Sequence, residues 1–257
     1  RAEARSLLLD PENLLAEITR RQAVFTRKDL FRLLYRHEIV ANEARSIVSR
    51  ALASPEILHL VPASPGATQR IYSTRSVRAQ EMLIHQAAKR IAARSLGPDT
   101  ARALEEAVAE TVETMTLAEE QKAALRHCTG ASGLAIVQGL AGAGKSYTMA
   151  AIRTAYEHAG FRVIGAAPTN SVAADMAAGG FHHASTIHLE MLRQETGTGW
   201  YTPWDHRTCI ILDEAAMVDA NMYERVLRQA AAAGTRLILV GDDQQLSSIE
   251  RGGIYAH

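Results

Sequence analysis

The sequence has few of the residues that build small disulfide-bonded or metal-bound proteins. Its 257 residues include only two cysteines, Cys128 and Cys209, which stand far apart in the chain. Such a pair provides neither a disulfide framework nor a zinc-binding pattern, and the ten histidines show no metal-ligand spacing. We therefore expect an apolar core to hold the fold, and 47% hydrophobic residues are ample for one.

The chain also lacks long apolar runs and any overall excess of charge. No run approaches the roughly 18 residues of a membrane span and no signal peptide is present, so we expect a cytoplasmic protein with no membrane partner. The 28 basic and 28 acidic side chains balance. However, residues 1–100 contain 16 basic and 10 acidic side chains, whereas residues 101–257 contain 12 and 18. The basic N-terminal part predicts a polyanionic partner.

The most specific motif lies in the middle of the chain. The sequence GLAGAGKS at 139–146 matches the P-loop pattern G-x-x-x-x-G-K-[ST]. The apolar run at 133–138 predicts a buried strand before it, and residues 146–156 predict a helix after it. A flexible Gly/Ala loop ending in a surface lysine is the plainer alternative, but the flanking strand and helix favour the P-loop.

Each residue type in this motif has a chemical reason. Glycines let backbone N–H groups approach phosphate oxygens, and the helix N-terminus adds further donors and the positive end of its dipole. Lys145 supplies a charge for the β- and γ-phosphates, and the Ser146 hydroxyl supplies a Mg²⁺ ligand. We therefore predict a site for ATP and Mg²⁺. Its predicted contacts in this segment are Gly139, Gly142, Ala143, Gly144, Lys145, Ser146 and Tyr147.

Acidic and amide side chains follow two later strands. The apolar run at 208–212 ends in Asp213 and Glu214, which is the Walker B form. We predict that Asp213 holds the Mg²⁺ shell and that Glu214 orients or deprotonates the attacking water. Gln245 follows the strand at 236–240, where a carboxamide faces the crevice that holds the γ-phosphate in such folds. The predicted catalytic residues are Lys145, Glu214 and Gln245.

A helix start shortly before the P-loop has two interpretations. Thr116 and Glu119 have the form of a capping box, and Gln121 then simply belongs to the first turn. Alternatively, Gln121 reads the adenine edge of a nucleotide, because an amide offers a donor and an acceptor together. Its position ahead of the P-loop favours the second interpretation, and we include Gln121 among the nucleotide contacts.

The N-terminal part has the pattern of a winged-helix module. Three short helices are predicted, the first opened by Asp10 and Pro11, the second by Thr26, and the third over 42–52. A β-hairpin over 56–74 follows them. Such a module either contacts DNA through its third helix and hairpin or packs as a small accessory to the core. Both interpretations remain open.

An aromatic segment lies between the predicted nucleotide motifs. Residues 194–207 include Trp200, Tyr201 and Trp204 together with two glycines. These side chains either stack on bases or pin the loop to the core, and the sequence favours neither.

Four motifs now stand in order along the chain: 139–146, APT at 167–169, DEAAM at 213–217 and GDDQQL at 241–246. Together they resemble motifs I, Ia, II and III of superfamily 1 DNA helicases, especially the 5′→3′ RecD-like branch. The whole chain, including FTRKDL at 25–30 and IYSTR at 71–75, resembles the middle segment of a TraA/MobA-type conjugative relaxase-helicase.

The resemblance implies an α/β fold with two parts. Residues 113–257 are expected to form a RecA-like P-loop parallel sheet with helices on both faces. Residues 1–112 are expected to form the mostly α winged-helix-like module, with two connecting helices over 75–95 and from Asp99 to about Val112.

The resemblance also implies roles for single residues. Gln121 corresponds to the adenine-contacting glutamine, and Gln245 to the glutamine that senses the γ-phosphate. Thr169, Thr186 and His188 match positions that touch the backbone of single-stranded DNA. The implied function is ATP-driven 5′→3′ movement on single-stranded DNA during conjugative transfer, with other conjugation proteins as candidate partners.

The ends of the chain carry a further expectation. It begins with Arg1 rather than Met and ends at His257, just past the third motif. We expect a segment of a longer protein in which a relaxase domain and a second RecA-like domain are covalently linked to it. The second domain would carry the arginine that stabilises transition-state charge, a group that contributes about 10³–10⁵ in rate. The segment alone is therefore expected to bind Mg-ATP weakly and to hydrolyse it slowly or not at all.

Two other functions stay open at this level. A nucleotide or small-molecule kinase needs an acceptor pocket and a lid, and the GDxxQL motif argues against it. A DNA- or partner-binding module with a vestigial ATPase is the second alternative. The intact Lys145, Asp213 and Glu214 argue against that one.

Overall fold

The computed structural model describes residues 2–60, 70–138, 144–198 and 202–241. The chain divides into two compact units, and the division falls between Leu83 and Ile84. None of the described helices is long and apolar enough to cross a membrane.

The first unit consists of short helices and a small antiparallel sheet. In chain order its elements are α1 (Ala2–Leu7), α2 (Pro11–Arg21), β1 (Phe25–Thr26), α3 (Arg27–Arg36), α4 (Ala41–Leu52), β2 (Ile57–Leu60) and β3 (Ile71–Thr74). Helix α5 (Arg75–Ala92) begins in this unit and continues into the second. Strand β3 lies between β1 and β2 and is antiparallel to both. Helices followed by a hairpin are the predicted winged-helix-like arrangement.

Local sequence determines where these helices begin. Asp10 accepts a hydrogen bond from the backbone N–H of Glu12, and Pro11 occupies the first turn of α2. Thr26 and Asp29 form a reciprocal capping box at the start of α3, which satisfies backbone donors that the helix leaves unpaired. The apolar faces of α2, α3 and α4 meet in one core, whose most deeply buried members include Leu14, Phe25, Leu30, Leu34 and Ile47.

The second unit alternates strands and helices. Its elements after α5 are α6 (Pro98–Thr114), α7 (Glu119–Cys128), β4 (Leu134–Gln138), α8 (Lys145–His158), β5 (Arg162–Ala167), α9 (Asn170–Ala178), β6 (Ala184–Thr186), α10 (Ile187–Thr196), β7 (Thr208–Leu212), a 3-10 turn (Ala215–Met217), α11 (Ala220–Ala233) and β8 (Arg236–Gly241). The five strands form a parallel sheet in the order β4-β8-β7-β5-β6.

Helices pack on both faces of this sheet, as its largely apolar strands require. Successive side chains point to opposite faces, so Ile210 and Leu212 of β7 enter one core while Cys209 and Ile211 enter the other. Helices α10 and α11 contribute to the first core, and α6 to α9 contribute to the second. The predicted RecA-like P-loop sheet with helices on both faces is confirmed.

A buried arginine closes the amino edge of the sheet. Arg236 at the start of β8 is only 3% exposed. Its Nε donates to the Tyr156 hydroxyl at 2.8 Å, and a terminal nitrogen donates to the Gly130 and Ser132 carbonyls. The Tyr156 hydroxyl in turn donates to the Cys128 carbonyl at 2.8 Å. This network ties α8 to the turn that leads into β4.

The two cysteines are core residues. Both are buried and reduced, and Cys209 lies in β7 as predicted. Burial raises the pKa of the Cys128 thiol to about 12, although the charge of Arg236 opposes that shift. Burial also raises the pKa of Cys209. Both thiols are therefore protonated and poorly reactive at neutral pH.

Two local predictions were wrong. The sequence predicted a helix from Asp99, but α6 begins after Gly97 with Pro98 in its first turn. Helix α7 begins after Ala118, so Thr116 and Glu119 form no capping box. Residues 184–186 form strand β6, and Thr186 then caps α10.

The boundary between the predicted domains, at 112/113, stays a prediction. The compact units divide at 83/84, and the apolar face of α6, including Leu104 and Ala107, packs into a core of the sheet. Part of the predicted connecting segment is thus built into the second unit.

The Arg236 network predicts that removal of the Tyr156 hydroxyl alone lowers the free energy of unfolding. In Tyr156→Phe, the Arg236 Nε–H loses its acceptor and the Cys128 carbonyl loses its donor, while the Arg236 N–H and the Cys128 carbonyl both stay buried. Leaving such groups unsatisfied costs about 1–3 kcal/mol, so urea unfolding should show a loss of this size. Tyr147→Phe on the same helix removes an exposed hydroxyl and should change stability by less than about 0.5 kcal/mol. Equal values for the two variants would contradict the role of the network.

Candidate active site

Those predicted nucleotide-site residues that the structure describes lie at or near the carboxyl edge of the parallel sheet. In such a sheet every strand ends at the same edge, and the following segment begins there. Strand β4 leads through residues 139–143 to α8, and β7 leads directly to Asp213 and Glu214. Strand β8 lies between β4 and β7, so these two segments flank the end of one intervening strand.

Helix α8 opens at this edge without a side-chain cap. Its N-cap is Gly144, in the left-handed conformation with φ +72°, and Lys145 is the first helical residue. A Cβ at Gly144 would lie 2.7 Å from Gln121 Nε2, so glycine suits both the backbone and the space. Gly144 itself has no side chain that could accept a hydrogen bond from the N–H groups of the first turn. This is the arrangement that binds anions at helix N-termini.

Gln121 lies directly against the start of α8. Its Oε1 accepts from the Ala118 N–H at 3.0 Å, and its Nε2 lies 3.5 Å from the Gly144 carbonyl oxygen. The side chain thus caps α7 and contacts the P-loop segment. Contact with adenine stays a prediction.

Asp213 is held rigidly at the end of β7. Its N–H donates to the Ala166 carbonyl of the neighbouring strand at 2.9 Å, and its Oδ1 accepts from the Glu214 N–H at 2.8 Å. Burial raises the pKa of this carboxyl, and the nearby Glu214 charge acts in the same direction. The hydrogen bond from Glu214 and the charge of Lys145 oppose the shift.

Glu214 has an unusual backbone conformation. Its φ of 48° lies in the left-handed region, which costs a non-glycine residue about 1–3 kcal/mol and is often found at functional sites. Its Oε1 lies 3.6 Å from Lys145 Nζ, and the two side chains are only 19% and 15% exposed. Its Oε2 is buried with no hydrogen-bond partner among the described residues. The sequence motif predicted both side chains but not this contact or this conformation.

The residues present fit a magnesium-bound nucleotide. Lys145 supplies a cation next to an uncapped helix N-terminus, and Ser146 presents an exposed side chain one position further. Asp213 and Glu214 supply carboxylate oxygens, the ligand type that Mg²⁺ prefers. The orphaned Glu214 Oε2 offers an acceptor for a water molecule or a metal-bound water. Tyr147 is exposed on the first turn of α8. The remaining predicted contacts, Gly139, Gly142, Ala143 and Gln245, lie outside the described residues.

The predicted DNA-contacting residues lie on the same edge of the sheet. Thr169 caps α9, and its hydroxyl accepts from the Val172 N–H at 3.4 Å. Thr186 ends β6 and caps α10, and its hydroxyl accepts from the Leu189 N–H at 3.2 Å. His188 is exposed on the first turn of α10. Both threonines therefore have a structural role, and their DNA contacts stay a prediction.

The aromatic segment is described only in part. Trp204 is buried, and its indole N–H donates to Glu190 Oε1 at 2.8 Å, so this tryptophan pins the segment to α10. Trp200 and Tyr201 lie outside the described residues, and base stacking by them stays a prediction.

The fold and the edge geometry define a RecA-like P-loop α/β protein. A family model described as "AAA domain" matches residues 116–257, which is more than half of the sequence. The chain therefore belongs to the AAA domain family.

Curated relatives refine the comparison. The chain is similar to the "Probable conjugal transfer protein TraA" of Sinorhizobium fredii, with 32% identity over 265 residues, 99% of this chain and 23% of that protein. It is 32% identical to the "Multifunctional conjugation protein TraI" of Escherichia coli over 58% of this chain and 9% of that protein. It is 33% identical to "RecBCD enzyme subunit RecD" of Mycobacterium tuberculosis over 48% of this chain and 26% of that protein.

These matches confirm the predicted resemblance to conjugative relaxase-helicases and RecD-like helicases. With the family match, they identify the chain as a helicase-like ATPase module. Membership of this family implies that nucleotide is bound together with a metal. The chain spans about a quarter or less of the length of these relatives. The roles of the individual site residues stay predictions.

The geometry at Gly144 predicts a local stability effect. Gly144→Ala forces a Cβ into the left-handed region, which costs about 1–2 kcal/mol, and displaces the Gln121 amide. Urea unfolding should show this loss. Gly130→Ala is the matched control, because its Cβ would make contacts no closer than 3.4 Å without a positive φ, and its stability should stay within about 0.5 kcal/mol. A stable Gly144→Ala variant would show that α8 does not require this conformation.

Proposed function

We propose that this chain is the ATP-binding part of a single-stranded-DNA translocase that moves 5′→3′ in conjugative DNA transfer. The observation that carries the proposal is the contact between Lys145 and Glu214 beside the uncapped start of α8. It brings a P-loop cation and the second Walker B carboxylate within 3.6 Å, although 68 positions of sequence separate them. The partner class and direction of movement rest on the resemblance to relaxase-helicases and RecD-like helicases.

The site residues divide the chemical work. Lys145 and the backbone donors of α8 would bind the β- and γ-phosphates, while Ser146 and Asp213 would hold the Mg²⁺ shell. The metal ion, when bound, neutralises charge that develops on the phosphate oxygens. Glu214 would orient the attacking water and accept its proton through the carboxylate oxygen that has no partner among the described residues. Gln121 would bind the adenine edge, and Gln245 would contact the γ-phosphate.

The DNA strand would lie across the ends of β5 and β6. Ala167 and Thr186 are paired in register on these adjacent strands, and Thr169 follows two residues after Ala167. The first turns of α9 and α10 therefore open side by side at the carboxyl edge. Helix N-termini and hydroxyl groups are common phosphate-binding elements in protein–DNA contacts. This placement supports a backbone contact that does not depend on base sequence.

The charge of Lys145 should be required for nucleotide binding. A charge-assisted hydrogen bond contributes about 1.5–3 kcal/mol, so Lys145→Ala should weaken Mg-ATP binding by about tenfold or more. Equilibrium titration with a fluorescent ATP analogue measures this change. Lys89→Ala, which removes an exposed lysine from α5, should bind as the wild type does. Equal affinity of all three chains would contradict the assigned site.

Glu214 should affect hydrolysis more than binding. General-base catalysis contributes about 10²–10⁴ in rate, so Glu214→Gln should keep Mg-ATP affinity within severalfold but reduce ATP hydrolysis at least about 100-fold. The assay needs a longer chain that includes the expected second RecA-like domain, because the resemblance places an essential arginine there. Glu224→Gln on α11 serves as the control.

Stimulation by single-stranded DNA separates the proposed translocase from other ATPases. We expect the longer chain to hydrolyse ATP faster when oligo(dT) is added. Brisk hydrolysis that ignores DNA would overturn the translocase and favour a kinase-like or other P-loop enzyme.

A further inference from the structure

We propose that an open groove on α3 of the first unit binds single-stranded DNA. This surface is distinct from the proposed nucleotide site, and the choice of DNA over RNA rests on the proposed function. The groove has a volume of about 630 Å³ and is lined by Lys28, Phe31, Arg32, Tyr35, Arg36 and Arg45.

Helical periodicity builds this surface. The residues at positions 28, 31, 32, 35 and 36 recur at i, i+3, i+4, i+7 and i+8, so they share one face of α3. The opposite face carries the buried Leu30, Leu33 and Leu34. Core packing therefore turns three basic and two aromatic side chains of α3 outward together, and Arg45 of α4 extends the same surface.

Two aromatic rings form a platform in the groove. Phe31 and Tyr35 are stacked, with centroids 5.9 Å apart and planes inclined by 27°. Phe31 is anchored against the core of the unit, and the Arg27 guanidinium lies 5.7 Å from its centroid. Tyr35 is 51% exposed. A fixed, half-exposed ring is the element on which a nucleic-acid base stacks, whatever the base sequence.

The charges of the groove are of one sign. Arg32 pairs with Asp29 at 2.7 Å, whereas no described carboxylate forms an ion pair with Lys28, Arg36 or Arg45. Glu38 and Glu43 line an adjacent groove that shares Arg36. Cations that track a backbone beside a stacking ring are the combination that binds single strands without sequence preference.

This placement differs from the winged-helix expectation. The sequence pattern predicts the third helix and the hairpin as the DNA-contacting elements. In the structure, Arg50 of α4 donates to the Leu9 carbonyl at 3.1 Å, which leaves Arg45 as the helix's contribution to the groove. The basic-aromatic face belongs chiefly to α3.

The test measures binding of a labelled oligo(dT) strand of about 20 nucleotides to the full chain without ATP. A triple variant, Lys28→Ala with Arg36→Ala and Arg45→Ala, should lose at least tenfold in affinity. The slope of log K against log[salt] should become shallower by about 2, because each of the three lost phosphate contacts contributes about 0.7 to this slope for single strands. The matched control replaces exposed cations outside the groove (Lys89→Ala, Arg78→Ala and Arg126→Ala) and should keep both values near those of the wild type. Circular dichroism checks that both triple variants are folded.

Stacking has its own readout. The wild type should bind oligo(dT) more tightly than an abasic strand of equal length, because the abasic strand keeps the phosphates but has no bases. Tyr35→Ala should weaken oligo(dT) binding at least about fivefold and shrink the difference between the two strands. Tyr35→Phe, which keeps the ring, should behave as the wild type.

Three results would overturn the proposal. The first is a groove triple variant that binds as tightly as its control, and the second is a Tyr35→Ala variant that keeps the full preference for bases. The third is oligo(U) binding that clearly exceeds oligo(dT) binding, which would assign the groove to RNA. Lys145→Ala should bind the strand normally, so failure of the ATP site and failure of the groove give different results.

Discussion

A parallel sheet imposes one direction on every segment that leaves it. Each strand must be followed by a crossover that returns the chain to the opposite edge, so the segments after β4, β5, β6 and β7 all begin at the carboxyl edge. Helix N-termini, with their unpaired N–H groups, therefore gather there. Among α8, α9 and α10, the last two are capped by Thr169 and Thr186, whereas α8 has Gly144 and no side-chain cap. Glycine at the N-cap of α8 thus leaves the backbone N–H groups next to Lys145 without a hydrogen bond from an N-cap side chain.

Lys145, Asp213 and Glu214 also interact through their charges. Asp213 and Glu214 are adjacent, and in a poorly solvated site the Glu214 charge adds to the effect of burial in raising the pKa of the Asp213 carboxyl. Lys145 offsets part of that repulsion, and its contact with Glu214 gives the lysine a partner while no phosphate is bound. Under the proposed function, a nucleotide that carries several negative charges would compete for the same ammonium group. Binding would therefore release the Glu214 carboxylate at the moment when a water molecule has a phosphate to attack.

The sequence predicted the long and periodic parts of this fold well, because their information is local. The apolar runs of β5, β7 and β8 and the caps at Asp10 and Thr26 are readable from neighbouring residues. Strands β1 and β6 have two and three residues, too few for a period, and they exist because β3 and β5 pair with them. The P-loop and Walker B motifs predicted the candidate site residues. They could not give the Lys145–Glu214 contact, because it depends on β8 lying between β4 and β7.

In the first unit, the amphipathic helix α3 has one face in the core and the other at the surface. Three leucines of α3 are buried, which forces the helix's cations and its stacked rings to the surface. The groove is built only from residues of the first unit, and the predicted nucleotide contacts belong only to the second. In the proposed translocase, ATP hydrolysis can drive movement only if some contacts with the DNA strand change between nucleotide states. The Phe31–Tyr35 pair is fixed because Phe31 packs against the core of the first unit. Such a fixed pair is suited to keep a single DNA strand bound to the protein, which raises the local concentration of that strand. The changing contacts are then left to the loops at the carboxyl edge, where the phosphates would bind.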